Sequence, residues 1–207
     1  QDAQIGQKYD PYYTVTNAGT ISGGTFYGKV TCEDGAVIKD GNFKNAVTVD
    51  AAGGKVTVEG GTFENGVTVD AVDTLTINGG TFKSETGCSV EINGAGAKVV
   101  INGGSFENVI QDVPGSATLT INSGLFQSNV IAGICTVNGG LFTAASDPLP
   151  EGATVKGGYF TAEHTGLVAI DAADVPVYLP VAVAADGTVT AWSEDTYSTV
   201  YVTPNTS

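Results

Sequence analysis

Ile77-Asn78-Gly79-Gly80-Thr81-Phe82 and, one spacer later, Ile101-Asn102-Gly103-Gly104-Ser105-Phe106 are two copies of one phrase, and every phenylalanine of the chain ends such a copy. The eight are Phe26, Phe43, Phe63, Phe82, Phe106, Phe126, Phe142 and Phe160. Val leads the copies that close at Phe63, Phe142 and Phe160, while Asp40 and Ser123 replace the first glycine in two others. Successive phenylalanines stand 17, 20, 19, 24, 20, 16 and 18 residues apart. A period of about 20 residues marks a solenoid, in which each unit buries its apolar face by stacking on its neighbours.

Working outward from the phrase, the residue five before each Phe is Ile or Val: Ile21, Ile38, Val58, Ile77, Ile101, Ile121, Val137 and Val155. Seven before it stand Gly19, Ala36, Val56, Leu75, Val99, Leu119, Cys135 and Ala153, and the position between is mostly Thr. Apolar–Thr–apolar is the period-two alternation of a strand with one buried face. The glycine pair then makes a bend, where a Cβ would clash or φ must be positive. A second short strand follows the Phe in most coils, as in Val30-Thr31-Cys32, Val47-Thr48-Val49 and Val67-Thr68-Val69, in Cys88-Ser89-Val90 after a two-residue insertion, and in Leu167-Val168-Ala169 after a three-residue one, while after Phe106 and Phe126 the pattern blurs to Ile110-Gln111 and Val130-Ile131. The variable spacing is expected in the loop between that strand and the next first strand.

In-register coils of this length read as a right-handed parallel β-helix, all-β, of about eight coils. Their strand spacing of about 4.8 Å puts like residue on like residue. Steps between 16 and 24 residues rule out the strict six-residue rhythm of left-handed helices. The small Gly19, Ala36 and Ala153 at the ends of a Val/Leu column predict a core that tapers toward caps. Residues 1–170 are thus expected to be the β-helix with its N-terminal cap. Residues 171–207, where the repeat is lost, are expected to be a C-terminal cap of the same domain, with a hairpin of 177–183 and 189–192 and a further strand near Thr199–Val202.

The 207 residues carry 22 Asp and Glu against 8 Lys, no Arg and one His, a formal charge of −14. Nucleic acid, whose binding rests on cations neutralising phosphates, is thereby disfavoured, as are anionic membrane surfaces. No apolar run approaches the ~20 residues of a membrane span. The chain opens at Gln1 with no signal-like segment, and its three cysteines demand no oxidising compartment.

The repeated Ile-Asn-Gly-Gly-Thr-Phe phrase with Val-Thr-Val strands between resembles the tandem-repeat β-helix segments of bacterial cell-surface proteins, whose shape is similar to the pectate-lyase-like superfamily. It covers roughly residues 15–170 and implies a secreted or surface-displayed protein. That architecture hosts lyases, hydrolases, adhesins and stalks alike, so activity has to be argued from residues. Lyases of this shape use an Arg or Lys base with calcium-binding carboxylates, and hydrolases use clustered Asp with His. Here His164, beside Glu163, stands in a loop without such a constellation.

Several columns carry candidate site residues. Seven residues after the Phe stand Glu33, Asp50 and Asp70, with Glu91 joining them if two inserted residues are allowed for. These are the candidate Ca²⁺ ligands, with a solvated acidic edge as the expectation and no cofactor required. The glycine pairs lack the aspartate of calcium-binding glycine repeats. Asn78, Asn102, Asn122 and Asn138 are expected to form an amide ladder, and the Thr column has the flatness that would suit ice. Cys32, Cys88 and Cys135 are expected to be buried thiols, too far apart to bridge. Tyr178, Trp192, Tyr197 and Tyr201 near the cap offer rings for sugar stacking or for plugging the core. The expected function is a non-catalytic secreted or cell-surface module, monomeric, for adhesion, display or contact with a glycan or a host or cell-surface protein. A polysaccharide-degrading enzyme or its accessory domain is the alternative.

Overall fold

Three short strands per repeat, each buried on one side, hydrogen-bond to their counterparts in the coils before and after, and so wind into a right-handed parallel β-helix of about seven turns. The computed structural model describes residues 4–5, 13–85, 87–144, 148–150, 152–156, 158–160, 168–169, 181–183 and 189–192, the side chains of residues 4–5 and from Tyr159 onward excepted. Twenty-one strands join one parallel network. The first-strand sheet carries the register Val56–Leu75–Val99–Leu119–Cys135, and the second-strand sheet carries Val49–Val69–Ile92–Asp112. Between them runs the sheet that pairs all eight phenylalanines, from Phe26 to Phe160. Strands Val47–Val58 and Val67–Ile77 turn a corner and serve two sheets each.

The inward columns form the core. Phe26, Phe43, Phe63, Phe82, Phe106, Phe126 and Phe142 are at most 1% exposed. Their rings lie 4.6–5.0 Å apart centre to centre and within 12° of parallel. The spacing is the coil spacing itself, so each ring covers the next without any shift of the backbone. The expected amide ladder is also formed on the surface. Asn102, Asn122 and Asn138 each donate Nδ2–H to the Oδ1 of the ladder residue one coil earlier, at 2.8, 2.7 and 2.7 Å.

The two glycines of the phrase have different causes. At Gly103 a Cβ would sit 2.6 Å from the carbonyl oxygen of Asn78, so the neighbouring coil leaves no room for one. Gly104 has φ +106°, a conformation that side chains rarely adopt. The first reason is packing between coils and the second is the bend.

The register corrects four expectations. Val90, not Cys88, pairs with Val67, so the insertion after Phe82 is four residues, eight from Phe82 to Val90 against four from Phe63 to Val67. Length variation therefore sits in two loops rather than one. Cys88 is consequently half-buried ahead of the strand instead of inward within it, whereas Cys32 and Cys135 are buried as expected. Val168–Ala169 pairs with Thr154–Val155 and so lies in the first-strand sheet, not the second. A strand at Gln4–Ile5 pairs with Thr25–Phe26, and Thr14–Asn17 pairs with Lys29–Cys32, a partial turn before the first phrase.

Of the expected taper, Ala36 and Ala153 are buried and Gly19 is exposed. Asp112 stands in the inward column after Ile92 at 5% exposure, where its Oδ2 accepts N–H groups from Ala117 (2.9 Å) and from Gly133 one coil on (3.2 Å). Its carboxylate thereby closes the loop that follows the strand. Near the C-terminus, Val181–Val183 and Val189–Trp192 form the expected antiparallel hairpin. The expected strand at Thr199–Val202 lies outside the described residues.

Candidate functional site

The insertion after Phe82 raises a wall beside the column of residues that follow the phenylalanines. Asn108 Oδ1 accepts the backbone N–H of Ser84 at 2.7 Å, and Ser84 Oγ accepts that of Gly87 at 2.9 Å. Beneath them buried Ser89 donates Oγ–H to the Phe82 carbonyl and accepts the Asn108 N–H, both at 2.9 Å. The loop then runs so close to the preceding coil that a Cβ on Gly66 would stand 2.2 Å from the Cys88 carbonyl oxygen. The described residues on either side of this insertion are thus held by hydrogen bonds, partly to the next coil, before any ligand arrives, which lowers the ordering cost of binding.

Against this wall lies an open cleft of about 480 Å³, lined by Glu64, Lys83, Ser84, Glu85, Glu107, Asn108 and Gln127. Its size falls in the range of small-ligand sites, although its lining is polar where such sites are mostly apolar. The floor follows the register of the phenylalanines, because Lys83 N–H donates to the Phe63 carbonyl and Glu107 N–H to that of Phe82. Lys44, Glu64, Lys83 and Glu107 thus stand on successive coils with alternating charge, and Lys44 Nζ is bridged to Glu64. At ~4.8 Å spacing this alternation is favourable, where like charges in the same places would repel.

The sequence-derived candidates are distributed differently. Glu33, Asp50 and Asp70 each follow the last inward residue of a second strand and are exposed, but a register shift after Val49 pairs Asp50 with Ala71 instead of Asp70. Glu91 does not join them: it pairs with Thr68 inside the strand, and the place next to Asp70 is taken by Asn93, whose Nδ2 donates to Asp70 Oδ1 at 3.2 Å. The error comes from the insertion, four residues rather than two. Among the described residues no three His, Cys, Asp or Glu side chains converge in a way that would hold a metal.

Trp192 is described by its backbone alone, in the hairpin, while Tyr178, Tyr197, Tyr201, Glu163 and His164 lie outside the described residues. Thr57, Thr76, Thr120, Thr136 and Thr154 form the outward Thr column and are half-buried. Burial pushes the Cys32 thiol up to about 11, offset in part by a hydrogen bond with Asn17, and the Cys135 thiol up to about 12. Cys88 is raised by partial burial, with the Glu91 carboxylate adding to the effect. Thiols shifted in this direction are protonated at neutral pH and poor nucleophiles.

The cleft itself was not foreseen. Its signal in the sequence was the longest step between phenylalanines, the 24 residues from Phe82 to Phe106. Comparison with protein-family models, with curated proteins and with solved structures gives no match for this chain.

Proposed function

We propose that this chain is a non-catalytic secreted or cell-surface module that makes contact with glycans. The observation that carries the reading is the polar cleft beside the hydrogen-bonded insertion of the β-helix. Hydroxyl, amide and carboxylate groups of Ser84, Asn108, Gln127, Glu85 and Glu107 line it, a set suited to hydrogen-bonding the hydroxyls of a sugar chain. Rigid scaffolds that present loops in this way are well suited to recognition. No described cysteine, serine or lysine of the cleft is hydrogen-bonded to a general base, the arrangement nucleophilic catalysis needs. The resemblance of the repeat to bacterial surface-protein β-helices supports display outside the cell.

The test is a screen of plant, host and bacterial glycans with two readouts, retention of the protein and release of shortened products. Retention without products supports the proposal. Products that appear in proportion to protein and vanish in Glu107→Gln would instead make it a polysaccharide-degrading enzyme.

A further inference from the structure

Resting on that glycan reading, we infer that the cleft is one part of a longer track, on which an unbranched neutral glycan lies along the solenoid axis and stacks a sugar ring on Tyr13 and Tyr27. Among the residues whose side chains are described, these two tyrosines are the aromatic rings outside the phenylalanine column, and both fall on the strip that holds the cleft. Tyr27 follows Phe26 as Lys83 follows Phe82. Lys44 N–H donates to the Phe26 carbonyl and Glu64 N–H to that of Phe43, so Tyr27, Lys44 and Glu64 stand on successive coils. Glu64 is the near end of the cleft lining, two coil steps or ~10 Å from Tyr27 at the strand spacing.

Local contacts build the aromatic end of the strip. Tyr13 precedes the strand Thr14–Asn17, which pairs with Lys29–Cys32, and its backbone lies against Gly28. A Cβ on Gly28 would stand 2.0 Å from the Tyr13 carbonyl oxygen, so glycine is what lets the coil carrying Tyr13 close on the one carrying Tyr27. Tyr13 is 56% exposed and Tyr27 half-buried, which leaves ring surface open to a ligand. Asn45 Nδ2 donates to the Tyr27 carbonyl at 3.4 Å and Asn65 Nδ2 to that of Lys44 at 2.8 Å. These bonds tie together the coils between the tyrosines and the cleft.

The two ends differ in chemistry as the two aspects of a sugar ring do. The described lining of the cleft has no aromatic residue and offers hydroxyl and amide groups of Ser84, Asn108 and Gln127 to sugar hydroxyls. A tyrosine offers its apolar ring to the C–H face of a sugar and its hydroxyl as a hydrogen-bonding handle. Between them Lys44 is bridged to Glu64, and lysine and glutamate go on alternating at Lys83 and Glu107, so the floor asks for no net charge on the ligand. An acidic glycan would meet the carboxylates of Glu85 and Glu107 in the cleft. A chain long enough to reach both ends gains the second contact at the effective concentration set by the first.

The probes are neutral oligosaccharides of two and six rings in gluco, manno, xylo and galacto configurations, titrated by calorimetry into the whole chain and its variants. The variants are Tyr13→Ser, Tyr13→Phe, Tyr13→Ser/Tyr27→Ser, Gln127→Ala in the cleft, and Ile134→Ser, which removes an exposed apolar side chain off the strip. A hexasaccharide is expected to bind at least about tenfold more tightly than its disaccharide. Tyr13→Ser should weaken the hexasaccharide complex by up to about tenfold, the order of one lost ring contact, while Tyr13→Phe keeps it. The double tyrosine variant should bring the hexasaccharide down to the affinity of the disaccharide. Gln127→Ala should weaken it as well, Ile134→Ser should leave it unchanged, and melting curves should show the variants folded.

A hexasaccharide bound no more tightly than its disaccharide, or one whose advantage survives the loss of both tyrosines, overturns this inference and leaves the glycan reading standing. Tyr13→Phe or Ile134→Ser acting as strongly as Tyr13→Ser does the same, because the ring of Tyr13 would then not be the contact. If the double variant melts early, Tyr13→Ser alone decides, and hexasaccharide binding untouched by it overturns the track. Binding of none of the oligosaccharides overturns both readings.

Discussion

Replacing Phe82 by Leu measures how far this fold relies on ring-on-ring contact between coils. Phe82 is fully buried and stacked on both sides, 4.6 Å from Phe63 and 4.8 Å from Phe106. Leu keeps an apolar side chain but forfeits two aromatic pairs, each worth about 0.5–1.5 kcal/mol beyond area burial. The expected loss is about 1–3 kcal/mol, against about 3–5 kcal/mol for Phe82→Ala, where a cavity is added. Phe26 supplies the internal control. Its ring stacks on Phe43 at 4.8 Å, while its partner on the other side is Ile5, which has no ring. Phe26→Leu should thus lose one pair and be about 0.5–1.5 kcal/mol less costly than Phe82→Leu. Urea unfolding followed by far-ultraviolet circular dichroism reads both values, provided the slope is unchanged. For a chain of this size the Phe82→Leu loss corresponds to about 2–12 °C in Tm. Equal costs at the two positions, or a larger one at Phe26, would refute the nearest-neighbour argument.

Three further outcomes are expected. Asn102→Asp removes the donor to Asn78 and sets a carboxylate on the ladder, so stability should fall by ~1 kcal/mol at neutral pH. It should recover as pH drops through the ordinary Asp value near 3.9, since the protonated acid donates again; denaturation midpoints across pH test this. Under mild alkylation near pH 8, mass spectrometry should find Cys88 labelled first and Cys32 and Cys135 labelled only after unfolding, because both are buried and their thiols lie at about 11 and about 12. Calcium chloride should raise Tm no more than sodium chloride at equal ionic strength, the acidic edge of Glu33, Asp50 and Asp70 being merely screened; a calcium-specific rise lost in Asp50→Asn/Asp70→Asn would contradict this.

The phenylalanine column, the Ile/Val column and the Asn ladder were legible because each repeats at one phase, and stacking turns a repeat in sequence into a contact in space. Glu91 and Cys88 were misplaced for the converse reason. Periodicity fixes a residue only between insertions, and the insertion after Phe82 is held by hydrogen bonds of Ser84 and Ser89 to Asn108 of the next coil, contacts that the repeat does not encode. Asp112 was invisible for a similar cause. A buried acid in an apolar column looks like a break in the pattern until the Ala117 and Gly133 N–H groups that hold it are seen. The cleft arises from the same local departures, so a repeat that reveals the scaffold conceals the site.

The amide ladder also has a sense of direction. All three steps run from the Nδ2 of the later coil to the Oδ1 of the earlier one, so the amide dipoles of Asn78, Asn102, Asn122 and Asn138 add head to tail. The column does not begin or end with them. Backbone register extends it one coil back to Glu59 and one coil forward to Lys156. An anion thus stands at the hydrogen-bearing end of the amide chain and a cation at its oxygen end, the same polarity with which acidic and basic side chains complement the two ends of an α-helix. A row of neutral side chains on a strand surface is thereby polarised along its length, and the positions flanking it in register carry charges of the matching sign.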